Sequence, residues 1–584
     1  MSGVNRRNFV KAVSAAPLIL KGRTLLSEAS SPGKVGVRDV VQADERFHLT
    51  LRRVLEGEAP RYSDDFLLAD VKPTAERRFT EYSGDLSGRY IGALATAARV
   101  YGTHDRQLDS LVNKVIALQK PDGYFGSTFH YEKPTDADMA LLWGNGRLLV
   151  GLLEYYRYKP SEQVLAASNR IGDFLVRVSP LMLSKEIRDA FGAQHFASSY
   201  ICWTQQTEGL ALLYSVTKDE RYRKLTESIA SVIERRPGDH AHGYLTSLRG
   251  VMELQALTRD PRLLSQCESA WQEITASRDL LITGGVPEGW SPNNHRTEGC
   301  GEGDWVRLNL QLWKATENSR YLAAAERAIF NEFAFNQFAT GDFGHRVYTE
   351  TGLPATGAAR AWWCCTLHGL RCFPDIRESA FREINGLIAY EIPVDGEIES
   401  ALLSARAESD LQNTGMVKIR ITRGAKEKVR LAIRKPAWAE SVHLNLKDSA
   451  STSQLEGDYI GAERVWAPGD LIEVRYEMKV RAEAAGNDRK VFWYGPWLLG
   501  ASSVDNPAYF NELTTDNRLH ETPAAVPATA ARRGFSVPIA ATQVGYSQAE
   551  YPDQPGRVAL RAIAEQTGQP TASWELRFLS RRNT

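Results

Sequence analysis

The chain reads as a multidomain α+β protein, an (α/α)6 toroid followed by antiparallel β-sandwich modules. Three observations predict this. A helical apolar period runs from about Asp44 to Phe381, short polar turns recur between the apolar stretches, and beyond about Asn385 the period falls to two. At 584 residues and 43% hydrophobic content the chain exceeds one core and has the apolar side chains for several.

The helical part is a repeat of hairpins. The turns Tyr101–Asp105, Tyr214–Asp219, Leu257–Asp260 and Ala315–Asn318 each place Thr, Asp or Asn where a side-chain oxygen caps the free N–H groups of the next helix, with Leu108, Tyr222, Leu263 or Tyr321 packing back just beyond. Twelve stretches are expected to be helical, near 45–57, 86–102, 105–119, 138–158, 161–177, 199–217, 219–235, 244–258, 260–276, 299–316, 318–335 and 365–380. Six hairpins predict a closed ring. An open solenoid would have more uniform repeats and lack insertions such as 278–297 and 339–363, which belong to loops at one rim.

Strands follow at Leu387–Ile392, Val417–Thr422, Val429–Arg434, Val442–Leu446, Leu471–Tyr476 and Val491–Tyr494, separated by Gly, Asp, Asn and Pro. The tail is rich in Ala, Pro, Thr and Gln and offers a strand only near Trp574–Phe578. The chain therefore divides into an export signal at 1–29, the toroid at 30–385, a β-sandwich at 386–503, and an extension or partial second β-module at 504–584.

The signal rests on Asn5-Arg6-Arg7-Asn8-Phe9, the apolar run Ala12–Leu20 and the small-x-small step Ser27-Glu28-Ala29, a twin-arginine pattern. It places the protein in the periplasm or outside the cell. A nine-residue run is too short to span a bilayer, and no other stretch reaches that length, so no transmembrane span is expected. Because this route carries folded proteins, metal can be loaded before oxidant is met. Acidic and basic residues balance at 71 each, which removes the footprint of a nucleic-acid binder. The 13 Trp and 22 Tyr fit a carbohydrate partner, whose CH faces stack on rings.

Candidate chemistry sits in the cysteines. Glu298-Gly299-Cys300 and the vicinal Cys364-Cys365 offer three thiolates and one carboxylate, enough to close a tetrahedral zinc shell, and both groups fall at helix starts, where free N–H groups favour thiolate. Six cysteines in a chain this long are sparse for a disulfide framework, and vicinal cysteines pair with strain. Burial as small hydrophobes is the alternative, and the spacing fits both. For the isolated Cys202 and Cys267, burial is the expectation.

The Glu-x-Cys triplet, the vicinal pair, the Ile282-Thr-Gly-Gly285 loop with Glu288 behind it, the hairpin repeats, and Ile433–Trp438 and Tyr494–Leu499 in the sandwich resemble glycoside hydrolase family 127, the β-L-arabinofuranosidase family, and its near relative family 146. The resemblance implies an (α/α)6 barrel with β-sandwich domains, zinc held by Glu298, Cys300, Cys364 and Cys365, Cys364 as nucleophile of a retaining mechanism, and a separate glutamate as acid/base. Glu288 takes that last role, on a loop shorter than the family's. For substrate binding the resemblance points to His242, with Asn145 and Trp203 where members carry sugar-binding histidines, and to His368 in Thr366-Leu367-His368 where members read Pro-Pro-Asn. Asp122-Gly-Tyr124 looks like an inner-rim substrate loop. Two other readings stand beside this one. One is a carboxylate-based hydrolase or lyase using Glu288, Glu302, Asp304 or Glu350 with structural zinc, and the other is a non-catalytic exported carbohydrate binder.

Overall fold

The structure is a computed structural model that describes residues 43–580 except 57–61, 73–78, 104–105, 191–196, 278, 291–295, 350–351, 354–358, 447–452, 455–456, 487, 508–509, 511–517, 520–523, 526–538, 546–553 and 565–571. The export signal, the turn residues His104 and Asp105, and Glu350 lie outside the described residues.

Twelve helices among the described residues build the ring: α1 (Ala43–Glu56), α2 (Asp85–Tyr101), α3 (Arg106–Ile116), α4 (Asp136–Tyr158), α5 (Glu162–Met182), α6 (Gln206–Thr217), α7 (Glu220–Ala230), α8 (Ala241–Thr258), α9 (Pro261–Ala276), α10 (Gly299–Thr316), α11 (Ser319–Arg327) and α12 (Trp363–Glu378). The even-numbered helices form the inner wall, each packed on the next, and α12 packs back on α2 to close the toroid. The odd-numbered helices lie outside them. The inner helices are buried on nearly every face, as a wall between an outer helix layer and a filled centre demands. Where α2 meets α4, a Cβ on Gly151 would stand 2.2 Å from the Gly88 carbonyl, so the absent side chain permits this close crossing.

The repeated turns have one design. Lys218, Arg259 and Glu317 each adopt φ near +58 at the end of an inner helix. The following Asp219, Asp260 or Asn318 then caps the outer helix, accepting from Arg221, Arg262 or Arg320 N at 2.9, 2.8 and 3.1 Å. Thr217, Thr258 and Thr316 brace the capping residue from behind. Tyr222 and Tyr321 are buried against the outer helix of the previous hairpin, Tyr222 donating to Asp173 of α5 at 3.0 Å and Tyr321 to Glu268 of α9 at 2.6 Å.

Two expected helices are interrupted. The stretch 199–217 breaks at Gln205 into Ser199–Thr204 and α6, and the stretch 318–335 breaks after α11 into a π-helical turn, Ala328–Phe333, before a last short helix, Ala334–Asn336. A π turn inserts a residue and rotates the helix beyond it, which leaves no apolar signature in the sequence.

Beyond α12 two five-stranded sheets stack as a sandwich. One runs 453–454, 459–464, 429–434, 387–390, 381–384 and the other 441–446, 471–477, 416–423, 404–410, 396–399. Pairing is antiparallel except that Val429–Arg434 lies parallel to Leu387–Tyr390. The strand Arg489–Tyr494, placed in the sandwich by its sequence, pairs instead with Val480–Ala484, Trp497–Ser502 and Phe578–Ser580 in a third, ten-stranded sheet. Alternation of side chains identifies a strand but not its sheet, which is decided by pairing across long sequence separations. The third sheet packs on the ring: Phe335, Tyr348, Val491, Trp493, Leu498 and Trp574 share a core with Leu281 and Ile282. No helix among the described residues is long and apolar enough to cross a membrane.

Candidate active site

The four expected ligands come from two helix starts that one small sheet draws together. Strand Arg296–Glu298 pairs with Gly344–Val347, which pairs on its other edge with Ala359–Ala361. The first strand runs into α10, with Glu298 as its N-cap, and the third leads to α12, with Trp362 as its N-cap. Glu298, Cys300, Cys364 and Cys365 thereby offer ligand atoms that all lie within 4.8 Å of one another. All six cysteines of the chain are free thiols.

The spacing fits a metal. Cys364 Sγ stands 3.9 Å from Cys365 Sγ and 3.9 Å from Glu298 Oε1, and Cys365 Sγ stands 3.8 Å from the same oxygen. Tetrahedral zinc with Zn–S near 2.3 Å requires sulfur atoms about 3.8 Å apart. Three soft donors and one carboxylate also suit zinc over magnesium or calcium, which take oxygen.

Burial works against ionisation of every thiol here. At Cys364 the S–H groups of Cys300 and Cys365 donate to its sulfur, and with the Arg89 guanidinium they bring this thiol down to about 5. Cys300 and Cys365 are pushed well up by burial and by the anion beside them. Cys364 is also the most accessible member, 9% exposed where Cys300 and Cys365 are fully covered. Burial opposes the Glu298 carboxylate too, but His240, whose Nε2 lies 2.8 Å away, holds it well below the usual carboxylate range.

Beneath the cysteines the centre of the ring is a buried charged network. Arg89 donates to Cys300 Sγ at 3.7 Å, to Asp85 Oδ1 at 2.7 Å and to His242 Nε2 at 2.9 Å. His242 Nε2 takes a second donor, Arg147, at 3.1 Å, which leaves Nδ1–H to donate to Asp304. Asp304 also accepts from Thr246, Arg249 and His368. Burial and the two guanidiniums keep His242 far below the usual histidine value, and burial brings His368 to about 4 despite Asp304, so both rings are neutral. His242, Asp304 and His368 are close enough to ligate a cation together. With His242 Nε2 taken by two arginines and both Asp304 oxygens occupied, their geometry is that of a hydrogen-bonded hub. Beside it lies a cavity of about 10 Å³ between Arg89, Arg147, His368 and Arg371, enough for one water. A sugar has to approach from the rim.

Glu288 sits at that rim. Its backbone is pinned on both sides, Ala241 N donating to Glu288 O at 2.8 Å and Glu288 N to Arg296 O at 2.7 Å. Its carboxylate shares a 4.8 Å cluster with His240 and Glu298, pairs with Arg296, and lies 3.7 Å from His345 Nε2.

The residues expected to bind substrate lie as follows. Asn145 is fully buried, with Oδ1 accepting from Phe125 N at 2.8 Å and Nδ2 donating to Leu141 O at 2.9 Å, Phe125 O at 3.1 Å and Ser83 O at 3.3 Å. It clips a loop to α4. Trp203 is fully buried core. Asp122 is exposed, and its turn is held by Arg177 of the outer helix α5, away from the inner rim. His242 and His368 belong to the buried hub. Position along the sequence brings Asn145, His242 and His368 to inner helices without showing which polar groups the backbone and the arginines have already taken. The sequence does not single out His240, which holds Glu298, or Arg89, and it offers Asp304 only as a candidate carboxylate and not as the centre of a hub. Alternation of His240 and His242 at the start of α8 was the one available signal.

A helical ring with a thiol and carboxylate cluster at its rim is thus followed by β-sandwich domains, the architecture of a toroidal enzyme. Residues 71–378 match the family described as β-L-arabinofuranosidase, GH127 catalytic domain, and residues 391–478 match the GH127 middle domain, the stretch that forms most of the sandwich. The chain belongs to the GH127 β-L-arabinofuranosidase family and is a glycoside hydrolase acting on carbohydrate. Its fold is similar to that of a GH127 β-L-arabinofuranosidase from Geobacillus stearothermophilus T6, with a TM-score of 0.71 at 14% identity over 92% of this chain and 99% of that one. A second GH127 β-arabinofuranosidase gives 0.70 at 17% identity over 93% of this chain and 94% of that one. No curated protein matches the chain by sequence.

Proposed function

We propose that the protein is a zinc-dependent retaining glycoside hydrolase that cleaves β-L-arabinofuranosides or a related plant cell-wall sugar, with Cys364 as nucleophile and Glu288 as acid/base. The observation that carries this reading is the closeness of Glu298, Cys300, Cys364 and Cys365, among whose cysteines Cys364 is the least covered. The twin-arginine pattern supports export in the folded, metal-loaded state.

Bound zinc would hold the thiolates ionised at neutral pH. In the first step Cys364 Sγ attacks the anomeric carbon, a C–S bond forms as the glycosidic C–O bond breaks, and protonated Glu288 gives its proton to the leaving oxygen. In the second, Glu288 takes a proton from water as that water attacks the same carbon, the C–S bond breaks and the thiolate returns. Both displacements invert, so configuration is retained. Arg296, half exposed, pairs with Glu288 from the solvent side. His345 stands ready on its other side.

The carboxylate reading finds no support at Asp304 or Glu302. Both are fully buried, Asp304 with its oxygens occupied and Glu302 accepting from Val286 N at 3.1 Å. The test combines metal analysis, Cys364→Ala and product stereochemistry. Stoichiometric zinc, a loss of at least about a thousandfold in turnover and a retained anomer are expected. An active, metal-loaded Cys364→Ala protein or an inverted first product sinks the reading.

A further inference from the structure

The π turn Ala328–Phe333 lies directly under the rim, and the Ile282-Thr-Gly-Gly285 loop rests on it. Arg327, at its entry, donates to Ile282 O at 3.0 Å. A Cβ on Gly285 would meet Glu332 Cγ at 2.3 Å, so this glycine lets the loop backbone lie against the Glu332 side chain. Glu332 is fully buried and gathers three hydroxyls from three separate segments. Thr283 of the loop donates to Oε2 at 2.6 Å, Thr297 of the strand ending in Glu298 donates to Oε1 at 3.0 Å, and Tyr348, just past the central strand of the small sheet, donates to Oε2. The residue before it reaches the other way: Asn331 accepts from Leu498 N at 2.6 Å and donates to Pro496 O at 2.9 Å, holding the Tyr494–Leu499 segment of the third sheet.

We propose that Glu332 is a positioning residue that fixes the loop carrying Glu288 against the strand carrying Glu298, and so sets the acid/base across the sugar from Cys364. The proposal rests on the reading of Glu288 given above. Two features support it. Thr283 and Thr297 flank the two segments whose separation matters and each donates to one oxygen of this carboxylate, which adds a side-chain tie beneath the Glu288 N to Arg296 O bond and the Val286 N to Glu302 bond. The π turn is also the kind of helix irregularity that turns a side chain toward a functional site at some cost in backbone regularity. Through Asn331 the third sheet becomes the base on which the catalytic loop stands.

The test uses leaving-group dependence, since a misplaced general acid harms a poor leaving group far more than one that departs unprotonated. Full-length, metal-loaded protein is assayed on the 4-nitrophenyl and the methyl β-L-arabinofuranoside. Thr283→Val cuts the loop tether, Thr297→Val the strand tether, and Glu332→Ala both. Glu332→Ala and Thr283→Val are expected to lose about tenfold more kcat/KM on the methyl glycoside than on the nitrophenyl one, at unchanged metal content, and Glu332→Gln to recover part of that loss. Should Glu332→Ala fail to fold, Thr283→Val, close in shape, carries the test. Glu288→Gln in the same pair of assays separates the two layers. If it shows the split while Glu332→Ala and Thr283→Val lose activity equally on both substrates, or not at all, the positioning role is overturned and the acid/base stands. If Glu288→Gln shows no split, the acid/base assignment fails and the positioning role falls with it.

Discussion

His242 Nδ1 lies 2.5 Å from Asp304 Oδ2, and this contact locks the ring so that Nε2 faces Arg89 and Arg147. Asp304 in turn balances Arg249 at 2.6 Å, and Arg89 runs from the His242 ring up to Cys300 Sγ. The cluster of Glu298, Cys300, Cys364 and Cys365, which could hold a metal, therefore rests on a buried ionic network.

Asp304→Asn should be strongly destabilising. It removes the counter-charge of a fully buried arginine and replaces one acceptor oxygen with a donor facing donors, a change that costs about 3–5 kcal/mol when one partner of a buried pair is lost. Urea unfolding of the metal-loaded protein measures it, and a loss below about 1 kcal/mol would show that the network carries little of the stability.

In metal-free protein, Cys364 should be the thiol that alkylates. Its thiol lies at about 5 and the residue is 9% exposed, while Cys300 and Cys365 are raised and fully covered. Iodoacetamide at pH 7 followed by peptide mapping should label Cys364 first, with a rate that falls as pH drops through about 5. Metal uptake must strip protons from the other two thiols, so affinity should weaken steadily on acidification. Preferential labelling of Cys365 would reverse the proposed roles of the pair.

Much of the ring and its ligand quartet was legible in the sequence. Helical period, the Thr-x-Asp and Thr-x-Asn turns and the count of six hairpins gave the ring, because those signals act within a few residues. The quartet was legible because donor chemistry is written in residue type. What stayed hidden depends on contacts between distant segments. Asn145 carries the polarity of a sugar ligand, yet its amide is committed to Phe125, Leu141 and Ser83; Arg489–Tyr494 alternates like any strand, yet joins the third sheet; and Glu332 looks like any glutamate on a helix until the π turn is seen.

Asn145→Ala tests the first of these. The variant leaves Phe125 N without its acceptor inside the fold, for a cost of about 1–3 kcal/mol, and should leave KM near the parent value. A raised KM at unchanged melting temperature would instead return Asn145 to the substrate site.

Asp395, where the sandwich meets α1, should make stability depend on pH. Burial and the nearby Asp44 carboxylate raise it to about 7, while Ser409 N donates to its Oδ1 at 2.8 Å. The folded state therefore holds a proton that the unfolded chain releases near pH 4, so stability should fall as pH rises from about 4 to about 7 and level off beyond. Asp395→Asn keeps an acceptor for Ser409 and removes the second charge beside Asp44. It should flatten that slope and, at pH 8, melt higher than the parent by several degrees, which scanning calorimetry across the range would read directly. An unchanged slope would mean that Asp395 is already ionised in the fold and that Arg377, paired with Asp44, neutralises both carboxylates.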